Sequence, residues 1–167
     1  MDYITAYEKL VVSALFKEWK KKNHSTYLAH FFGEVDEQLN IGQWQIGFYD
    51  TVNDRITSFV VGNAIEQMPS EEVFKKEGIV EELELEKVEM SEKEALETAL
   101  LLQKKKYPQH PTLKGIVILQ HLTIGLVWNV TLITQTFAAL NVKIDTHSKK
   151  VIEDSLNTFF DLANTSE

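Results

Sequence analysis

The sequence repeats itself at one spacing. Sliding the chain against itself by 84 positions lays Trp44 on Trp128, Ile46 on Val130 and Phe48 on Leu132. The same ungapped offset lays Lys20-Lys21-Lys22 on Lys104-Lys105-Lys106. A strand centre and a helix end that match at one offset point to a small unit written twice. The expected class is α+β, a tandem duplication of a helix followed by a three- to four-stranded antiparallel sheet. Residues 1–65 and 91–167 would be the two copies, and residues 66–90 an acidic connector holding a short helix and an edge strand.

Charge sets the connector apart. Between Glu66 and Glu97 stand twelve Glu and four Lys, a balance of −8 that equals the net charge of the whole chain. An acidic patch repels a phosphate backbone, and no basic stripe with interleaved aromatics offsets it, so nucleic acid is not an expected partner. The connector either docks on a basic partner or is a solvated face that keeps the protein soluble, and the second reading is favoured. The chain contains no Cys, which excludes disulfides, thiolate metal sites and a cysteine nucleophile. Met1-Asp2-Tyr3 opens directly into an amphipathic pattern without a basic-then-apolar leader, so a cytoplasmic location is expected. The apolar runs 115–119 and 123–128 fall far short of the ~20 residues of a membrane-spanning helix.

The pattern along the chain predicts the elements. Asp2 is an N-cap, and Ile4, Tyr7, Val11, Ala14 and Leu15 make one apolar stripe for a helix over residues 3–22. Its last turn holds Lys20, Lys21 and Lys22, where cations meet the negative end of the helix dipole. Strands are expected at 27–35, 43–49 and 55–61, with Asn40-Ile41-Gly42 and the segment from Asp50 to Asp54 as turns. In the connector, Ser70 followed by Glu71-Glu72 reads as a helix start and Gly78 as its stop. Leu83 and Leu85 alternate with Glu82, Glu84 and Glu86 as an exposed edge strand would. Ser91 and Glu94 form a capping box for a helix to about residue 106, ended by Pro108 and Pro111. Strands follow at 113–121, 126–135 and 138–145, with Trp128, Val130 and Leu132 inward, and the tail from Val151 reads as a short strand and then a helix.

The second half also resembles the PepSY-type domain. The residues that carry this are Ser91-Glu92-Lys93-Glu94-Ala95-Leu96 opening a helix, Tyr107-Pro108 at its end, Trp128-Asn129-Val130 in a strand, and Val142-Lys143-Ile144-Asp145 before a polar turn and Val151. The likeness covers about 83–152 and leaves the first half matching in architecture alone. Thr146-His147-Ser148-Lys149-Lys150 departs from the family's usual Thr-Gly-Glu turn. The resemblance implies a non-catalytic, cystatin-like module of helix and antiparallel sheet, whose relatives serve as protease propeptides or sensors.

Chemistry-bearing motifs are few. There is no glycine-rich phosphate loop, no His-Glu-x-x-His and no Gly-x-Ser-x-Gly. His24, His30, His110, His121 and His147 lack ligand-like spacing, although His30 with His121 and a carboxylate is the pair to examine for zinc. Asp36-Glu37 and Asp50 with Asp54 could be acid/base pairs but sit where turns need caps. Trp44 and Trp128 read as paired core anchors rather than ligand platforms. No catalytic, cofactor-binding or metal residue is therefore assigned, and no cofactor is expected. Val127, Ile133, Leu83 and Leu85 are the candidate interaction surface. The reading is a binding or regulatory protein that engages a protein partner or a second copy through sheet faces or edges. The alternative is a small-molecule binder or enzyme with a pocket between sheet and helix.

Overall fold

Ser13 divides the expected first helix into two. In the computed structural model, which describes residues 1–73 and 79–159, α1 (Tyr3–Val12) and α2 (Ala14–Lys22) meet at this one extended residue. The Ser13 hydroxyl donates to the Leu10 carbonyl at 2.7 Å and accepts from the Phe16 amide at 3.2 Å, so one side chain ends α1 and starts α2. The break resets the helical phase. α1 buries Tyr3, Ala6 and Leu10 and α2 buries Phe16 and Trp19, whereas Ile4 and Leu15 of the expected stripe are exposed.

The strands are β1 (Thr26–Val35), β2 (Ile41–Asp50), β3 (Arg55–Val61), β4 (Ile65–Gln67) and β5 (Glu71–Glu72), followed after α3 (Glu92–Lys106) by β6 (Thr112–Leu122), β7 (Gly125–Thr134), β8 (Ala138–Asp145) and β9 (Val151–Thr158). All pair antiparallel into one sheet of order β4-β3-β2-β1-β6-β7-β8-β9, with β5 also on β3. The central seam is β1 on β6, in which Phe32 faces Ile118 and Gly33 faces Val117. Among the described residues the three helices lie on one face, over alternate residues such as Trp44, Ile46, Phe59, Trp128, Val130 and Val142, all fully buried.

The core centres on aromatic rings. Tyr3 meets Phe31, Trp44 and Trp128 edge-on at 5.4, 6.3 and 5.3 Å, and the two indoles lie 6.2 Å apart. Each indole N–H is satisfied by a backbone carbonyl, Trp44 donating to Met1 at 3.0 Å and Trp128 to Met90 at 2.9 Å. Both acceptors immediately precede a helix N-cap, Asp2 and Ser91. α3 starts with the expected capping box and, like α2, ends on three lysines; the C-caps Asn23 (φ −129°, ψ 58°) and Tyr107 (φ −130°, ψ 52°) have nearly the same conformation.

The connector differs from expectation. Glu71-Glu72 is not a first helical turn but the short strand β5 beside Arg55 and Ile56, and the Gly78 stop lies outside the described residues. Leu83 and Leu85 are not an edge strand. The seam uses the free edges of β1 and β6 on each other, so the connector crosses the helix side of the sheet instead. There the Leu83 amide donates to the Leu28 carbonyl at 2.8 Å, the Leu83 side chain enters the core at 2% exposure, and Leu85 opens a single 3-10 turn, Leu85–Lys87, packed against the core. The tail strand is longer than expected, pairing with β8 from Val151 to Thr158; the helix expected beyond it lies past the described residues.

Candidate interaction surface

Period-two geometry places every second strand residue on the face without helices. One cross-sheet row on that face runs Glu66, Val60, Gln45, Phe32, Ile118, Asn129, Lys143, Glu153, one residue from each of eight strands in direct register. A flanking row holds Glu34, Ile116, Thr131, Asn141 and Ser155, and the other holds Ser58, Gly47, His30, Gln120, Val127 and Asp145. The middle of this surface is apolar and amide-rich: Phe32, Ile116, Ile118 and Val60 are half-buried, and Asn141 donates to Asn129 at 2.6 Å and to Thr131 at 2.9 Å. Charge lies at its margins, in Glu66 and the Lys143–Glu153 ion pair, with Glu34 the exception. An apolar centre inside a charged rim is the anatomy of protein interfaces.

His30 occupies the seam side of this face. Its ring lies over Gly47, where an added Cβ would come within 2.2 Å of the imidazole Cε1, so only glycine leaves room for it. Burial pushes the imidazole down from 6.5 to about 4, which keeps it neutral at pH 7. His121 belongs to the opposite face, since its neighbour Gln120 is the residue level with His30, and its Nδ1 is 3.1 Å from the Glu82 carbonyl. The pair examined for zinc is therefore split across the sheet, and no three metal-ligating side chains converge among the described residues. The first acid of each pair caps a turn, and Asp54 accepts from the Tyr49 hydroxyl at 2.5 Å. Asp36 accepts from the amides of Gln38 and Asn40 at 2.9 and 2.8 Å. Asp50 accepts from Asn53, Val52 and Ser25, with Asn53 the largest influence, and is held down at about 2.

The four residues singled out from sequence do not make one accessible patch. Val127 does lie on the helix-free face, but it is fully buried; Leu83 is core; Leu85 packs against the core; Ile133 is half-buried on the helix-free face. Val127 and Leu83 are thus corrected as surface residues, while Leu85, like Ile133, is half-buried. The residues that do form the open centre carried a signal. Phe31-Phe32 and the unbroken run from Ile116 to Leu119 are apolar on both strand faces, which marks a sheet with two faces to cover.

Larger hollows lie on the helix side, among them one of about 560 Å³ beside Val11, Ala14, Lys17 and His24. A cavity of about 400 Å³ between α2, β1, β2 and the connector is lined by Tyr7, Phe16, Tyr27, Phe48, Lys20 and Leu83, where a pocket between sheet and helix was expected. An acidic cleft of about 550 Å³ is lined by Glu84, Glu86, Glu89, His121, Asp145 and His147, the last with its Nδ1 2.6 Å from Glu89. On the open face the hollow bounded by Phe32, Glu34, Gln43, Gln45 and Val60 is only about 80 Å³.

No family model and no curated protein matches this chain. A crystal structure of a protein from Clostridium difficile 630, named a putative lipoprotein, is similar in fold at a TM-score of 0.54, over 86% of this chain and 90% of that one, at 12% identity. That likeness concerns the fold alone. No helix among the described residues is long and apolar enough to cross a membrane.

Proposed function

We propose that this protein is a non-catalytic binding or regulatory module whose helix-free sheet face engages the surface of another protein. The observation that carries the reading is the row through Val60, Gln45, Phe32, Ile118 and Asn129, an apolar and amide-rich centre with charge at its rim. At ~4.8 Å per strand, eight strands span roughly 34 Å, a breadth suited to the ~800 Å² that one partner buries in a standard interface. A hollow of about 80 Å³ encloses no ordinary small molecule, whose sites run to several hundred Å³.

The scaffold under this face is, on the same reading, a tandem duplication. Support comes from the shared placement of Trp44 and Trp128, each bonded to the carbonyl before a helix N-cap, from the matching C-caps Asn23 and Tyr107, and from left-handed Asp54 and Phe137 (φ 55° and 57°) before β3 and β8. The PepSY-like assignment of 83–152 belongs to this proposal, and so does a cytoplasmic setting, which rests on the absence of Cys. A second reading, a small-molecule binder, rests on the roughly 400 Å³ cavity beside Tyr7 and Phe48.

The test is differential capture from lysate of the source cells, using wild type, a Phe32→Lys/Ile118→Lys variant and a Val12→Lys control on the exposed end of α1. Expected is a protein retained by wild type and control and lost by the face variant, with circular dichroism confirming that all three fold. Identical capture by all three would overturn the face assignment, and a ligand-induced thermal shift abolished by Tyr7→Ala would favour the second reading.

A further inference from the structure

The cavity of about 400 Å³ beside α2 has two walls of opposite charge. Its floor is apolar, with the rings of Phe16 and Phe48 5.0 Å apart and Leu28 and Leu83 buried beside them. One wall belongs to α2 and β1. There the half-buried Lys20 ammonium donates to the Thr26 carbonyl at 2.5 Å and to the Thr26 hydroxyl at 2.9 Å. It meets no carboxylate among the described residues, and its third N–H is left unpaired. The other wall is the connector, where Glu82, Glu84 and Glu86 alternate with Leu83 and Leu85. Glu84 is taken by Lys87 at 2.6 Å, whereas Glu82 and Glu86 make no ion pair among the described residues. Both of these acids act on the cavity. Burial holds Lys20 below the ordinary ammonium value and Glu82 opposes it; burial pushes the Tyr7 hydroxyl up and Glu86 acts in the same direction.

We infer that this cavity binds a free α-amino acid with an aromatic side chain, its carboxylate on Lys20 and its ammonium on Glu82 and Glu86. The site is the one on which the small-molecule reading above rests, and the docking reading of the open face does not depend on it. Only a zwitterion satisfies both walls. An anion without an ammonium would meet Lys20 but also two unpaired carboxylates, and a cation without a carboxylate would meet those acids but also a half-buried ammonium. A neutral apolar molecule would cover the floor and leave the third Lys20 N–H desolvated. In an α-amino acid both charges sit on one carbon, so one small molecule bridges Lys20 and the acids, which do not pair directly. Its ring adds aromatic contacts to Phe16, Phe48 and Tyr7. The volume is also sufficient, since ligand sites begin at roughly 300 Å³.

Isothermal titration calorimetry with four probes that share one ring tests the assignment: L-phenylalanine, 3-phenylpropionate without the ammonium, 2-phenylethylamine without the carboxylate, and uncharged 3-phenylpropanol. L-phenylalanine should bind roughly 3- to 10-fold more tightly than either singly charged probe. Glu82→Gln/Glu86→Gln, at two exposed positions, should abolish its advantage over 3-phenylpropionate and leave 3-phenylpropionate bound as well or better, with circular dichroism confirming the fold. Lys20→Met should abolish the advantage over 2-phenylethylamine. Because that substitution also cuts the tie to Thr26, the glutamate variant decides if Lys20→Met unfolds. Equal binding of all four probes, lost in Tyr7→Ala, would overturn the charge pairing and leave the cavity a small-molecule site. Tighter binding of a singly charged probe than of L-phenylalanine would overturn it too, and no binding by any of the four would overturn both the pairing and the cavity reading.

Discussion

The two faces of the sheet are built from the same strands and yet are different materials. On the helix side, Trp44, Trp128, Phe31, Phe59 and Ile144 are fully buried, with both indole N–H groups paired. On the other side, Phe32, Ile116 and Ile118 are half-buried between amides, and a neutral histidine rests on a glycine. The difference teaches where stability resides and where surface remains for other work: the helix side holds the fold, and the open side is free to carry function.

The largest effect should come from the covered face. Trp128→Ala removes a fully buried indole and leaves the Met90 carbonyl without its donor; a loss of ~3–5 kcal/mol is expected in denaturant unfolding. A loss under ~1 kcal/mol would show that the helix side is not the packed one. Next is the close contact on the open face. Gly47→Val drives a side chain into the His30 ring and should cost roughly 1–3 kcal/mol, while Gly47→Val combined with His30→Ala should recover much of it. No recovery would place the strain elsewhere.

His30 sharpens the comparison through pH. Its folded value of about 4 lies below the 6.5 of an exposed histidine, so below pH 6.5 the unfolded chain takes up a proton that the folded chain refuses. Stability should be flat above pH 6.5, fall by about 1–3 kcal/mol toward pH 4 and then level with respect to this group. Asp50 and Glu94, both held near 2, lose their contribution mainly at lower pH. His30→Gln should flatten the slope between pH 6.5 and 4, and an unchanged slope would assign it to another group. The smallest effect is expected in the centre of the open face, where Ile118→Thr should change stability by less than ~1 kcal/mol while weakening partner binding. A larger loss would mean that the open face is part of the core.

Much of this division was legible in the residues. The alternation of Trp44, Ile46 and Phe48, and of Trp128, Val130 and Leu132, identified the covered face, and the Ser91–Glu94 capping box located α3 at its first residue. The break at Ser13 was less legible, because a serine inside a helical pattern is tolerated until tertiary packing demands a new phase. Leu83 misled for a related reason. Its alternation with glutamates fits an edge strand, but the pairing of β1 with β6, 80 or more residues apart in sequence, left no edge for it. The open centre was half legible: the apolar runs at Phe31-Phe32 and Ile116–Leu119 showed that both strand faces are apolar, and which of them the helices leave uncovered depends on long-range topology.

Binding through the helix-free face is tested by site-specific photo-cross-linking. A benzophenone side chain placed at Ile118, at Val12 or at Leu101 samples the open centre and two exposed apolar positions on the helices, 66% and 67% exposed. A discrete protein adduct is expected from position 118 and none from 12 or 101; adducts from 12 or 101 with none from 118 would place the binding surface on the helix side.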